Sequence, residues 1–195
     1  MGVIGLGTGS IAVHGRLGDN FRFYEINPVV EQLSKTYFTY RADSKAHVEV
    51  DMGDARVRLE QEAAQGELQQ FDVLAVDAFS SDSIPSHLLT AECAELYKRH
   101  LKPDGILVIH ISNRFLDLNP VVRALAQRLG WQAARIDSDR DDNKGIYSAT
   151  WILVTANQEF LKSAPVSTVI DPFNKDDKPP LLWTDDFVSL WRILK

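Results

Sequence analysis

The 195-residue chain has one cysteine, two methionines and no surplus of positive charge. With Cys93 alone no internal disulfide can form, and a reducing, cytoplasmic compartment is the expectation. Cys93 sits in LLTAECAELYKRHL, a helical pattern, and reads as a small packing residue rather than a nucleophile. No apolar run approaches the roughly 18–20 residues of a membrane span, so no direct membrane insertion is expected of this chain. No secretory leader is expected either, because the apolar start carries three glycines and no basic segment. Lys and Arg total 21 against 27 Asp and Glu, a net charge of −6. That balance argues against nucleic acid as a partner and is compatible with a cationic ligand. His14, His47 and His100 lack acidic or thiol neighbours at metal-ligand spacing, so no metal is expected.

What is present is an alternation of strand and helix patterns. VIG, the aromatic stretch 21–26, residues 48–52, the apolar run 73–76 and residues 106–111 read as strands. Two more follow, around 132–136 and in SATWILVTA, joined by an acidic hairpin loop at 138–144. Helices are predicted from Asn27-Pro28, with Val29, Val30 and Leu33 on one face, over 54–64, over 86–101, and from Asn119-Pro120 to Gly130. Pro103-Asp104-Gly105 reads as a turn. The pattern gives an α/β fold: a mostly parallel seven-stranded sheet, helices on both faces and a terminal antiparallel hairpin. Residues 1–163 are expected to form one domain. Residues 164–195 are expected to be an extension packed on it, with a loop rich in Pro, Asp and Lys and a short amphipathic helix in DDFVSLWRIL. Only four residues precede Gly5, fewer than a strand's usual ~5–6, which points to a longer parent protein.

The chemistry gathers at strand ends. Gly5, Gly7 and Gly9 follow the first strand in VIGLGTGSIA. Such a bend lets a ligand approach the backbone, and it suits a dinucleotide, a sulfonium nucleoside or merely a tight turn. Glu25 ends the second strand, where a carboxylate can accept from both ribose hydroxyls. In GDAR, Asp54 can accept from an adenine amino group and Ala55 leaves room for the ring; Asp54 equally suits a helix N-cap. Asp77 stands at the tip of the fourth strand, and Asp82 follows in a serine-rich loop. Two carboxylates there suit an amine co-substrate, one holding an ammonium and the other taking a proton. Loop-structuring roles remain open for both. His110 reads as a satisfied buried histidine or as a residue facing the site, Asn113 as a rim residue or turn-former, and His87 as a residue on the co-substrate side. Thr184 or Asp185 reads as an N-cap, or the tail folds over the amine pocket, and Trp151 and Trp191 read as core or interface.

VIGLGTGSIA, FRFYEINPVV, VEVDMGDARV, FDVLAVDAFSSDSIPSHLLT, HLKPDGILVIHISNR and PLLWTDDFVSLWRIL together resemble the polyamine aminopropyltransferase (spermidine synthase) family. The likeness is strongest to bacterial spermidine-synthase-like domains, often fused behind membrane segments. The resemblance implies a Rossmann-like class I S-adenosylmethionine-dependent methyltransferase fold. It also implies aminopropyl transfer from decarboxylated S-adenosylmethionine to a polyamine such as putrescine, without a metal. Gly5, Gly7, Thr8, Gly9, Glu25, Asp54, Ala55 and Asp77 would hold the nucleoside, and Asp77 and Asp82 would serve catalysis; a homodimer is compatible. The chain departs from the family pattern in two places. The family's D-S-S-D-P spaces its aspartates by three residues where this chain has five, and Thr8 replaces the aspartate of G-G-G-D-G. The family's N-terminal β-domain over the polyamine channel has no counterpart here. Two alternatives follow: methyl transfer from intact S-adenosylmethionine, and a catalytically weak nucleoside- or polyamine-sensing domain tethered to a membrane protein.

Overall fold

The computed structural model describes residues 1–78, 85–174 and 176–195. Its first half runs β1 Gly2–Ile4, β2 Asn20–Glu25, α1 Pro28–Tyr37, α2 Tyr40–Asp43, β3 His47–Met52, α3 Ala55–Gln65 and β4 Phe71–Val76. The second half runs α4 Ala91–His100, β5 Leu101–His110, α5 Asn119–Leu129, β6 Gln132–Ser138, β7 Ala149–Thr155, α6 Gln158–Lys162 and α7 Ala164–Ser167. One sheet orders them β3-β2-β1-β4-β5-β7-β6. Pairing is parallel from β3 through β5, while β7 runs antiparallel to both β5 and β6. Strand order reverses between β1 and β4, the place where open α/β sheets part at their carboxyl ends.

β4 and β5 are apolar on both sides because both of their faces are covered. Leu74, Leu107 and Ile109 are fully buried in a core shared with α3, α4 and α5, which contribute Leu59, Tyr97 and Leu125. Ala75 joins Val3, Phe21 and Phe23 in a second cluster. The brief β1 is central, pairing at every residue with β2 and with β4. Its start is pinned too: the Met1 ammonium donates to Asn20 O, and the N–H of Arg22 donates to Met1 O.

Side-chain caps set the helix starts around the strand tips. Asn27, Asp54 and Thr90 each accept a hydrogen bond from a backbone N–H in the first turn of the helix that follows. The Thr90 cap explains one departure from expectation. The helix predicted over 86–101 divides into a 3-10 turn, Ser86–Leu88, and α4. A second departure lies at Pro103-Asp104-Gly105. The residues do not form a free turn between elements; they bulge within β5, where pairing with β4 steps from Phe71↔Leu101 to Val73↔Ile106.

Further departures concern amphipathic faces. On α1, Val29 and Leu33 are exposed, while Val30 packs against the second core cluster and Ser34 is the fully buried residue. The closing segment forms no α-helix: a Thr184–Phe187 bridge and a 3-10 turn, Trp191–Ile193, take its place. It is anchored instead by Trp183 and Ile193, both fully buried in the main core. Trp191 is 85% exposed and is therefore not a core residue.

Candidate functional site

The hydrogen-bond ladder of the sheet continues to its carboxyl rim and sets four strand tips side by side. Gly5 N–H donates to Tyr24 O, Gly53 N–H to Glu25 O, and Asp77 N–H to Ile4 O. A cleft of about 540 Å³ opens over them. Gly5 marks its floor with φ of +95°, and a Cβ there would lie 2.3 Å from the carbonyl oxygen of Asp77. Only glycine permits both that backbone conformation and that approach.

Gly5, Gly7, Glu25, Asp54, Ala55 and Asp77 all line this cleft. Thr8 and Gly9 belong to the same bend but are not among the lining residues; Gly9 precedes a 3-10 turn, Ser10–His14. Asp82 lies outside the described residues. No lysine or arginine lines the cleft among the described residues, and its charged lining is the three carboxylates, with His87 and Tyr24 beside them. That lining attracts a cationic ligand and repels a phosphate.

Each carboxylate is held differently. Glu25 is buried, and its two oxygens accept from the backbone N–H of Leu6 (2.9 Å) and of Asn27 (2.8 Å). It ties the glycine bend to the start of α1. Asp54 accepts from Val57 N–H at 3.1 Å and meets His87 Nε2 at 2.9 Å. Burial pushes the Asp54 carboxyl up. The Val57 N–H, His87 and the Arg56 N–H outweigh that and hold it below the usual carboxylate range. The alternatives posed for Asp54, cap and cleft residue, therefore coexist. Asp77 is half exposed, and its Oδ1 lies 2.8 Å from His110 Nδ1.

The residues flanking the cleft are wired to the C-terminal segment. Arg56, on the first turn of α3, makes a two-pronged ion pair with Asp185 at 2.7 and 2.5 Å. The same guanidinium donates to His87 O at 3.1 Å and, from Nε, to Glu60 at 3.0 Å. Asp185 is thus an ion-pair partner and not a helix cap, and Arg56 holds its carboxyl down at about 2. Asn113 Oδ1 accepts from the N–H groups of Phe115 and Leu116, forming the turn beyond β5. Cys93 is buried, and burial raises its thiol to about 12. His100 is likewise buried, with Nε2 2.9 Å from Leu59 O. Among the described residues no cluster of His, Cys, Asp or Glu is arranged to hold a metal. No helix of the described residues is long and apolar enough to cross a membrane.

Of these contacts, the sequence pattern did not disclose His110 as a partner of Asp77. Both lie at strand tips, on adjacent parallel strands whose register places Val76 opposite Ile109, so each follows one residue later. The signal was a histidine closing an otherwise apolar strand. The Arg56–Asp185 pair spans 129 positions and had no local signal.

A polyamine aminopropyltransferase from Vibrio vulnificus is 34% identical to this chain over 111 residues, 54% of this chain and 35% of that protein. Over that stretch the chain is similar to a polyamine aminopropyltransferase. It spans about a third of the length of that curated relative. No family model matches the chain. Among solved structures, the spermidine synthase of Thermotoga maritima superposes with a TM-score of 0.56 at 13% identity, covering 95% of this chain and 62% of the other. A spermidine synthase in complex with the transition-state analogue AdoDATO superposes with a TM-score of 0.55 at 14% identity, covering 95% and 61%. At such identity the likeness speaks for the fold, the class I methyltransferase-like arrangement shared by these aminopropyltransferase relatives.

Proposed function

We propose that the chain carries the nucleoside-binding and catalytic half of a spermidine-synthase-like aminopropyltransferase. It would act on decarboxylated S-adenosylmethionine and a di- or polyamine such as putrescine. The observation that carries this reading is the cleft at the β1/β4 reversal. There the glycine bend, Glu25, Asp54, Ala55 and Asp77 converge, with no lysine or arginine lining the cleft among the described residues. Glu25 would face the ribose, Asp54 and Ala55 the adenine, and Asp77 the reacting centre; Gly5 and Gly7 would let the nucleoside approach the backbone. Thr8 and Gly9 would shape the bend. Residues 1–163 would form the nucleoside-binding domain, with 164–195 folded onto it.

The chemistry asks little beyond placement. The amine nitrogen attacks the aminopropyl carbon next to sulfur, a C–N bond forms and the C–S bond breaks. The bonding pair stays on sulfur, turning a sulfonium into a neutral thioether, methylthioadenosine. No acid is needed for that leaving group. A protonated amine has no lone pair, so Asp77 would take its proton before or during attack. The acidic lining favours both cationic partners.

The test is formation of methylthioadenosine from decarboxylated S-adenosylmethionine and putrescine, with loss in Asp77→Asn. No methylthioadenosine from the chain, alone or together with any segment encoded ahead of it, would sink the reading. Methyl transfer from intact S-adenosylmethionine is the second reading. It is favoured by Thr8 in place of a carboxylate that would pair with the aminopropyl ammonium. Calorimetry separates the two: the first expects tighter binding of the decarboxylated nucleoside, the second of the intact one.

A further inference from the structure

We propose that His110 is a positioning residue that fixes Asp77, through a directional hydrogen-bond chain supplied by β7, so that Oδ2 of Asp77 is the atom left for the incoming amine. The inference rests on the reading of Asp77 as proton acceptor.

The chain starts from a backbone donor with no freedom of direction. Thr150 N–H donates to Ser112 Oγ at 2.8 Å. Ser112 Oγ keeps one proton and one further lone pair, and its other neighbour, His110 Nε2, lies 2.7 Å away. The direction is settled at the far nitrogen, and in a neutral ring Nε2 then accepts the Ser112 proton. Nδ1–H faces Asp77 Oδ1 at 2.8 Å, and a carboxylate can only accept there. Every group in the sequence Thr150, Ser112, His110, Asp77 has a matching partner, and only one tautomer satisfies them all.

The ring is also held in its plane. His110 pairs across the ladder with Trp151, and their rings stack at 4.6 Å with 25° between planes. β7 therefore supplies both the stacking ring and the backbone donor. Asp77 lines the cleft with a half-exposed side chain, and among the described residues no donor is bonded to its Oδ2. A carboxylate pinned through one oxygen presents the other in a fixed direction, which is what positioning a proton acceptor demands.

Two measurements on the full chain test this. In ¹⁵N-histidine NMR at pH 7–8, His110 is expected as the neutral Nδ1–H tautomer. Because Asp77 alone also demands Nδ1–H, the double variant Asp77→Asn with Ser112→Ala is the one expected to release it to a mixture with the Nε2–H form. A dominant Nε2–H form in the unaltered chain, or no change in the double variant, overturns the hydrogen-bond chain whether or not the protein turns over. In the aminopropyl-transfer assay, His110→Phe keeps the stack and removes the donor. It should lower kcat by about 10- to 100-fold with little change in the nucleoside KM. His110→Asn restores a donor near Nδ1 and should recover part of that loss. An unaffected His110→Phe, or Phe and Asn variants equally impaired, refutes positioning. If the unaltered chain forms no methylthioadenosine, the proposed reaction fails separately, and the tautomer still decides how Asp77 is held.

Discussion

The segment after residue 163 contains two tryptophans in opposite environments, and they provide an internal contrast. Trp183 is fully buried in the main core, and its carbonyl accepts from Ala91 N–H at 2.9 Å, where α4 begins. Trp191 is 85% exposed. Truncating a buried indole removes its transfer energy and leaves a cavity that the neighbours only partly fill, about 3–5 kcal/mol. Against a native stability of about 5–15 kcal/mol, that is a large share. For a chain of this length each kcal/mol moves Tm by about 2–4 °C, so Trp183→Ala should lower Tm by roughly 6–20 °C. Trp191→Ala removes a residue already in water and should stay within about 0.5 kcal/mol. Circular dichroism melts and urea titrations of the two variants beside the unaltered chain decide the matter. Equal effects, or a loss under about 1 kcal/mol for Trp183→Ala, would show that residues 164–195 are not part of the same folding unit.

Other perturbations follow from the contacts around the cleft. Asp185 titrates at about 2 in the fold against an ordinary 3.8, with Arg56 as the main cause. A depressed carboxyl contributes stability that is present above the ordinary value and is lost as pH falls through the folded one. Asp185→Asn should therefore flatten the stability loss between about pH 4 and pH 2, by no more than about 1 kcal/mol because the pair is half in water. An unchanged pH profile contradicts the clamp. Cys93, buried with its thiol raised to about 12, should not react with a disulfide reagent at pH 8 until the chain is unfolded; rapid native labelling would contradict its burial. Glu25→Gln replaces an acceptor by an amide N–H₂ facing a backbone N–H, from either Leu6 or Asn27. It should destabilise the ligand-free chain by about 1–3 kcal/mol in urea titration. If Glu25 served only a ligand, ligand-free stability would not change.

Elements whose cause is local were legible in the sequence. Asn27-Pro28 starts α1 because the asparagine side chain caps the first turn and proline suits its opening. The runs 73–76 and 106–109 form central strands because both faces are covered. Where a tertiary partner decides, the pattern misled. DDFVSLWRIL has helical spacing, yet Trp183 and Ile193 find places in the core and Asp185 is drawn to Arg56, which is incompatible with a regular helix there. Thr90 likewise offers a cap strong enough to divide the helix predicted over 86–101. The aliphatic face of α1 was read from spacing alone, and spacing does not say which face meets a neighbour.

The site divides along the same line. Glycines, Glu25, Asp54 and Asp77 were visible because each stands at a strand end, and a parallel sheet brings successive strand ends to one rim. Their partners were not visible, because hydrogen bonds to Leu6, His87 and His110 are set by register and by side-chain direction. Those partners change what the acids can do. Glu25 has each oxygen already accepting a backbone N–H, so ribose contact there would use the remaining lone pairs, and the residue shapes the bend whatever binds. Asp54 starts a helix and pairs with His87. Asp77 alone of the three is half exposed, and among the described residues its side chain meets one side-chain partner, His110, on one oxygen. On the proposed reading, the carboxylate least occupied by the fold is the one that would take a proton, and this contrast would separate a reacting centre from the residues that would frame the nucleoside.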